Sequence, residues 1–365
     1  MILGKRLILL LGSAAFLCAG MLSLQSIATA SPVAPRPLSA GCAEVDTYQT
    51  SAAQSAAALR YWTPQRTASA DGFNPARISR MLKSSRAGAL IEPTEQCLSA
   101  PSSTAAGASI RPPSASTQPS VKSHSFTGYP SVGKFFFNIH GISNEQFSCT
   151  ASVINAKGNS KNELILTAAH CIEGALDGEG YSTDDWIFGP MWNHNKFPYG
   201  KWSVKSYWIE PGWMNCVVFE GCQTNPKYDY AVIVLNQQHG RGVGSFTGEN
   251  GWHINEPHTI KNTRIVGLPS TADEPLYVVT TSTTVSLKGL PFVGTYLNRK
   301  ATTPGFADGS SGGPWYYFFG SNDLGLLTGD TGGYETGGPP SGSPSYSSFW
   351  TTDFSALVAQ AVSHE

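Results

Sequence analysis

Charged residues are scarce: Asp, Glu, Lys and Arg make up only 13% of the 365 residues, about half the usual share. The formal net charge is −1, so nothing in the charge calls for a nucleic-acid partner or an acidic substrate. There is no Cys-x-x-Cys pair and no histidine set at ligand spacing. A zinc site is therefore not expected, nor is any other metal or cofactor. After the first thirty residues no apolar run is long enough to span a bilayer. Helical stretches are almost missing beyond residue 126, which argues against a βαβ fold. Gly, Ser, Thr and Tyr fill the gap, and 41% of the chain is apolar. That mix suits strands and tight turns around a sizeable core.

Residues 1–30 read as a secretory signal. Lys5 and Arg6 give a positive start, an apolar run extends from Leu7 to Leu24, and Ala28-Thr29-Ala30 is a small-x-small cleavage site. An uncleaved membrane anchor is the competing reading, weakened by Gly12, Ser13, Gly20 and Ser23. A secreted, extracellular protein without stable membrane association after signal removal is expected. Cys18 leaves with the signal, so six of the seven cysteines remain: Cys42, Cys97, Cys149, Cys171, Cys216 and Cys222. An even number in a secreted chain argues for disulfides. Cys216 and Cys222 are close enough to close a small loop, Cys149 and Cys171 flank two apolar segments, and Cys42 and Cys97 are then left for each other.

Residues 31–97 form an N-terminal unit, helix-prone over Ser51 to Ala58, with Asn74-Pro75 resembling a second helix start. Residues 98–127 collapse to Ser, Ala, Pro and Thr and read as an exposed linker. Such a linker is a natural processing site, so the unit before it reads as a cleaved pro-region; a permanent module is the alternative. From residue 128 to 365 about a dozen short β-prone runs recur, among them Lys134 to Ile139, Leu164 to Thr167, Trp202 to Ile209, Ala231 to Leu235 and Trp315 to Phe319. An antiparallel all-β sandwich or barrel pair is expected, with a C-terminal helix near Asp353 to Ser363.

Three short stretches carry the chemistry. A serine needs an adjacent base to act as a nucleophile, and histidine suits that task because its ordinary pKa lies near working pH. A buried aspartate fixes its tautomer. Ser311 sits in Gly309-Ser310-Ser311-Gly312-Gly313, where the N–H groups of Gly309 and Ser311 are placed to form an oxyanion hole. His170 follows an apolar run and stands beside Cys171. Asp229 opens the apolar run Ala231 to Leu235, an expensive place for an acid without a partner. Taken singly, each has a plain reading: a glycine-serine loop, a satisfied core histidine and a turn aspartate.

Thr167-Ala168-Ala169-His170-Cys171, Asp229-x-Ala231 and Gly309-x-Ser311-Gly312-Gly313-Pro314 together resemble the signatures of the chymotrypsin/trypsin-like serine peptidases, in the same order. The resemblance covers residues 128–365. It implies two six-stranded antiparallel β-barrels, polypeptide substrates, a monomer, His170 as general base, Asp229 as its orienter and Ser311 as nucleophile. Cys149–Cys171 would match the disulfide beside the histidine. Ser310 stands where the animal enzymes carry the aspartate that binds a new N-terminus, so the chain is more similar to the bacterial secreted, glutamyl-endopeptidase-like branch. Gly305, six before the nucleophile, removes the trypsin-type charge, and Leu327 to Gly333 would form a pocket wall. Gly305, Thr328, Gly329 and Asp330 are thus the expected substrate-binding residues, Asp330 either attracting a basic side chain or standing exposed in a turn. Two rivals remain: an inactive peptidase-like binding protein, and an esterase of the α/β-hydrolase kind. The second needs a histidine after the serine with alternating strands and helices, and only His364 is available for it.

Overall fold

The structure is a computed structural model that describes residues 46–74, 78, 121–139, 145–156, 161, 163–176, 179–217, 221–289, 293–339 and 343–363. The signal, most of the linker, Cys42 and Cys97 lie outside the described residues. The described chain opens with β1 (Asp46–Gln49), α1 (Ala52–Tyr61), α2 (Pro64–Ser69) and β2 (Asp71–Gly72). A short β3 (His124–Ser125) precedes β4 (Val132–Ile139), β5 (Phe147–Val153), β6 (Leu164–Thr167), β7 (Glu173–Leu176), β8 (Glu179–Pro190) and β9 (Trp202–Ile209). Then come β10 (Met214–Val217), β11 (Gly221–Thr224) and β12 (Ala231–Leu235). After α3 (Gly244–Thr247) follow β13 (Gly251–Trp252), β14 (Thr259–Gly267), β15 (Leu276–Lys288), β16 (Thr295–Ala301), β17 (Pro314–Phe319), β18 (Gly325–Asp330), β19 (Ser345–Ser348) and α4 (Thr352–Val362). No helix among the described residues is long and apolar enough to cross a membrane.

Six antiparallel strands close into a barrel in the order β9-β12-β6-β5-β4-β8, the ring completed by pairing of Ile187 with Ser203 and Phe188 with Trp202. Along β12, Ala231, Ile233 and Leu235 enter the barrel interior while Val232 and Val234 face outward into a second apolar cluster. Both faces of the strand are therefore buried, which is why its sequence is apolar without alternation. In β4, Phe135 and Phe137 point inward and Phe136 outward in the same way. The second half is a sheet in the order β18-β17-β14-β15-β16-β19. Its end strands are drawn together by Asp330 N–H donating to Ser347 Oγ at 3.1 Å and Gly332 N–H to Tyr346 O at 3.0 Å. The predicted six strands are thus present, joined at the ends by these bonds rather than by a ladder. Helix α4 covers the outer cluster with Phe354, Leu357, Val358 and Ala361; the Phe354 ring stacks on Trp350 at 4.0 Å.

The described residues of the N-terminal unit pair with the barrel. Strand β1 pairs with β9, Asp46 opposite Ile209, and β2 pairs in parallel with β5. A capping box of Ser51 and Gln54 starts α1. Trp62 is buried against Phe136, ring centres 5.2 Å apart, and its indole N–H donates to Asp185 O. Near the end of the linker, His124 and Ser125 pair with Tyr277 and Leu276. Cys149 and Cys171 are bonded. Cys216 and Cys222 stand directly opposite each other in the β10–β11 ladder, their side chains outside the described set.

Replacing Phe354 by Ala should cost about 3–5 kcal/mol of stability, since its ring is fully buried. Urea unfolding monitored by fluorescence measures it, and a loss below about 1 kcal/mol would mean α4 does not seal the outer cluster.

Candidate active site

Strand β6 ends at Thr167, and the chain then makes a single 3-10 turn over Ala169–Cys171. The Cys149–Cys171 disulfide ties this turn to β5. It also commits both sulfurs that lie near His170, which removes them as metal ligands. Asp229 follows the turn Pro226–Tyr228 and enters β12, which pairs with β6 at Ala231 opposite Thr167. That register brings His170 and Asp229 to the same end of the barrel. Both are buried, at 1% and 0% exposure. His170 Nδ1 lies 2.8 Å from Asp229 Oδ2 and 3.0 Å from Oδ1. The His170 N–H donates to Oδ1 at 2.9 Å, and the Gly333 N–H donates to Oδ2 at 2.6 Å. An ionised carboxylate only accepts, so Nδ1 carries the hydrogen, and in the neutral ring Nε2 keeps its lone pair.

The second sheet supplies the Gly309–Gly313 turn. Thr150 binds it to the barrel: its N–H donates to Ser311 O at 2.7 Å and its Oγ1 to Gly309 O at 2.8 Å. Thr150 Oγ1 in turn accepts from the Leu268 N–H at 2.9 Å, and Thr150 O accepts from Thr167 Oγ1 at 2.9 Å. Gly312 N–H donates to Thr331 O at 2.7 Å. Gly309 has φ +94°, a conformation that favours glycine. Among the described residues the N–H groups of Gly309 and Ser311 have no hydrogen-bond partner. They remain as two donors flanking Ser310.

Ser311 opens onto a cleft of about 360 Å³, lined by Phe306, Ser310, Thr331, Glu335 and Gly337 among others. The cleft also takes in Phe73, whose ring centre is 5.4 Å from that of His170. Gly305, Thr328, Gly329 and Asp330 are not among the described lining of this cleft. Gly305 sits near Ser123 and Leu276, Thr328 is buried, and Gly329 pairs with Trp315 in the β17–β18 ladder. Asp330 is neither exposed nor a cleft residue: its side chain is fully buried. Successive side chains on a strand alternate in direction, so Thr331 reaches the cleft and Asp330 turns into the body. Burial, with the nearby Asp229 charge, pushes the Asp330 carboxyl well above the usual carboxylate range. Thr150 and Phe73 were not foreseen from the sequence, and Gly333 was placed only in a pocket wall rather than beside Asp229. The pair Gly332-Gly333 carried a usable signal: a Cβ at Gly332 would lie 2.6 Å from Asp229 O and 3.2 Å from its Oδ2.

No protein-family model matches the chain, and no curated protein matches it. Among solved structures, the chain is similar to the protease Anisep of Arthrobacter nicotinovorans, with 24% identity and a TM-score of 0.53 over 66% of this chain and 100% of that one. It is also similar to the thermostable serine protease AL20 of an extremophilic microorganism, with 19% identity and a TM-score of 0.49 over 65% of this chain and 98% of that one. A Glu endopeptidase solved with MPD aligns at 16% identity and a TM-score of 0.41, covering 66% and 96%. The first of these likenesses shows the fold, that of the chymotrypsin-like serine proteases.

Two outcomes follow from the buried polar groups. In acid, Asp330 is neutral in both folded and unfolded chains. As pH rises through about 3.9 the unfolded chain releases this proton and the folded one keeps it, so stability falls until the folded group ionises. Asp330→Asn should therefore gain on the parent between pH 4 and pH 7 in chemical unfolding; an equal difference at both values would contradict a raised carboxyl. Thr150→Val removes both Oγ1 bonds and should cost about 1–3 kcal/mol. Unchanged urea unfolding would mean that Thr150 does not join the two halves.

Proposed function

We propose that the chain is a secreted serine endopeptidase, made as a proenzyme, with Ser311 as nucleophile, His170 as general base and Asp229 as orienting acid. One observation supports this reading: a buried His170–Asp229 pair at 2.8 Å, whose imidazole lies 5.4 Å from the ring of Phe73, a lining residue of the cleft that holds Ser311. Ser311 Oγ attacks the carbonyl carbon of the scissile bond, and its proton passes to His170 Nε2. The negative oxygen of the tetrahedral intermediate is met by the N–H groups of Gly309 and Ser311, donors worth about 10²–10³ in rate each. Collapse returns the proton from Nε2 to the leaving amine nitrogen and leaves an acyl-serine. A water molecule then repeats the sequence and releases the acid.

Polypeptides are the substrates under this reading, and neither cofactor nor nucleic acid takes part. The cleft carries two acidic residues, Asp308 and Glu335, and no basic one among its described lining. That charge disfavours an acidic side chain at the cut. The export signal of residues 1–30 and the processing stretch of residues 98–127 support secretion and maturation by cleavage. A monomer is proposed.

A fluorophosphonate probe should label the parent chain and leave Ser311→Ala unlabelled; equal labelling of both would end the assignment, and labelling of neither would favour an inactive binding protein. Asp229→Asn should lower kcat by about 10⁴ through the wrong imidazole tautomer. Digestion of a peptide library, read by mass spectrometry, should show few cuts after Asp or Glu.

A further inference from the structure

Asn298 lies in the middle of β16 and is fully buried. A buried amide side chain needs partners for its polar groups, and this one finds them on three separate stretches of chain. Its Oδ1 accepts from the Tyr334 N–H at 2.8 Å. Its Nδ2 donates to Pro226 O at 3.3 Å and to Leu297 O at 3.0 Å. These partners fix which way the amide points, because a main-chain N–H only donates and a carbonyl only accepts. Ser348, directly opposite Asn298 in the β16–β19 ladder, gives Pro226 O a second bond from its Oγ at 3.0 Å. Glycine is needed where the chain passes the amide: Gly333 has φ +86°, and a Cβ there would lie 2.7 Å from Asn298 Oδ1.

Two of these stretches bear on Asp229. Pro226 opens the turn Pro226–Tyr228 that leads into Asp229. Tyr334 follows Gly333, whose N–H donates to Asp229 Oδ2 at 2.6 Å. We infer that Asn298 is a positioning residue for the His170–Asp229 pair: one side chain clamps both the turn before Asp229 and the chain beside Gly333, and so keeps the Gly333 N–H on Oδ2. The inference rests on the serine-peptidase reading above. A leucine here would offer neither bond, and an ionised aspartate could accept from Tyr334 without donating to Pro226. The Gly333 donor takes up part of the carboxylate charge that faces the imidazole. Without it Asp229 favours the charged ring more strongly, and His170 holds its proton to higher pH. Asp330, at the end of β18, is the other carboxyl that interacts with Asp229, and replacing Asn298 leaves it in place. The Gly332 N–H on Tyr346 O at 3.0 Å and the Tyr334 ring, 5.0 Å from that of Tyr346, still hold this stretch when Asn298 is replaced.

The test uses the full chain and reads the rate at which a fluorophosphonate labels Ser311 across the range in which histidine titrates. Asn298→Leu keeps the volume and removes every bond of the amide. It should label about ten to a hundred times more slowly than the parent, and the midpoint of its acid limb should lie at higher pH. Ser348→Ala loosens Pro226 O alone and should keep the midpoint of the parent. Thermal unfolding shows whether each variant is folded; if Asn298→Leu is not, Asn298→Ala takes its place. A merely structural role would lower the fraction labelled and leave the midpoint unmoved. An Asn298 variant with a midpoint equal to or below that of the parent would therefore overturn the inference. So would a shift in Ser348→Ala as large as in Asn298→Leu, which would put the effect in the turn and not in the Gly333 donor. Either result leaves the peptidase reading intact as long as Ser311→Ala abolishes the signal. Absence of labelling in every form, the parent included, would instead remove the nucleophile assignment, and this inference with it.

Discussion

A carboxylate sealed from water at the head of β12 sets the terms for the rest of the site. Burying such a charge is costly unless hydrogen bonds replace its hydration. Asp229 obtains them from the main chain and ring of His170 and from the main chain of Gly333. The first two require the tight turn after β6, which the disulfide holds against β5. The third requires the chain after β18 to come within contact distance, which only a residue without a side chain permits at Gly332. One anion thereby binds the barrel to the second sheet. Burial first, and then the nearness of Asp229, pushes the neighbouring Asp330 carboxyl well above the usual carboxylate range.

Where a single physical requirement dominates, the sequence was readable. Leu164–Thr167, Trp202–Ile209 and Ala231–Leu235 are strands with the bounds their apolar runs imply, because burial on both faces leaves no other pattern. Helix α4 was equally legible from the spacing of Phe354, Leu357 and Val358. The histidine, aspartate and serine stretches stood out because each pairs a chemical group with an unusual backbone setting. The cleft was not legible. Its walls are assembled from separate loops, and Asp330 was misread because one step along a strand reverses the side chain. Phe73 gave no signal at all: Asp71-Gly72 resembles an ordinary turn, and the pairing partner of β2 lies beyond a long intervening stretch.

Thr150 shows how little covalent machinery is needed to align two halves. Its amide, hydroxyl and carbonyl all engage the site region, reaching Ser311, Gly309, Leu268 and Thr167. It is the residue directly after Cys149, so the disulfide that steadies the histidine turn also steadies the strand that meets the serine turn. Errors in either half would be passed to the other through this strand, since packed interiors transmit displacement rather than absorb it.

The division of labour between the closed barrel and the second sheet bears on biosynthesis. His170 and Asp229 belong to the first, the Gly309–Gly313 turn to the second. During N-terminal-first synthesis the barrel sequence emerges before the serine turn does, and the pairing that unites them spans a large sequence separation and forms late. Nascent and half-folded molecules hold no complete constellation. Under the peptidase reading proposed above, the period in which the chain is most vulnerable to digestion is one in which none of its siblings at the same stage is able to digest it.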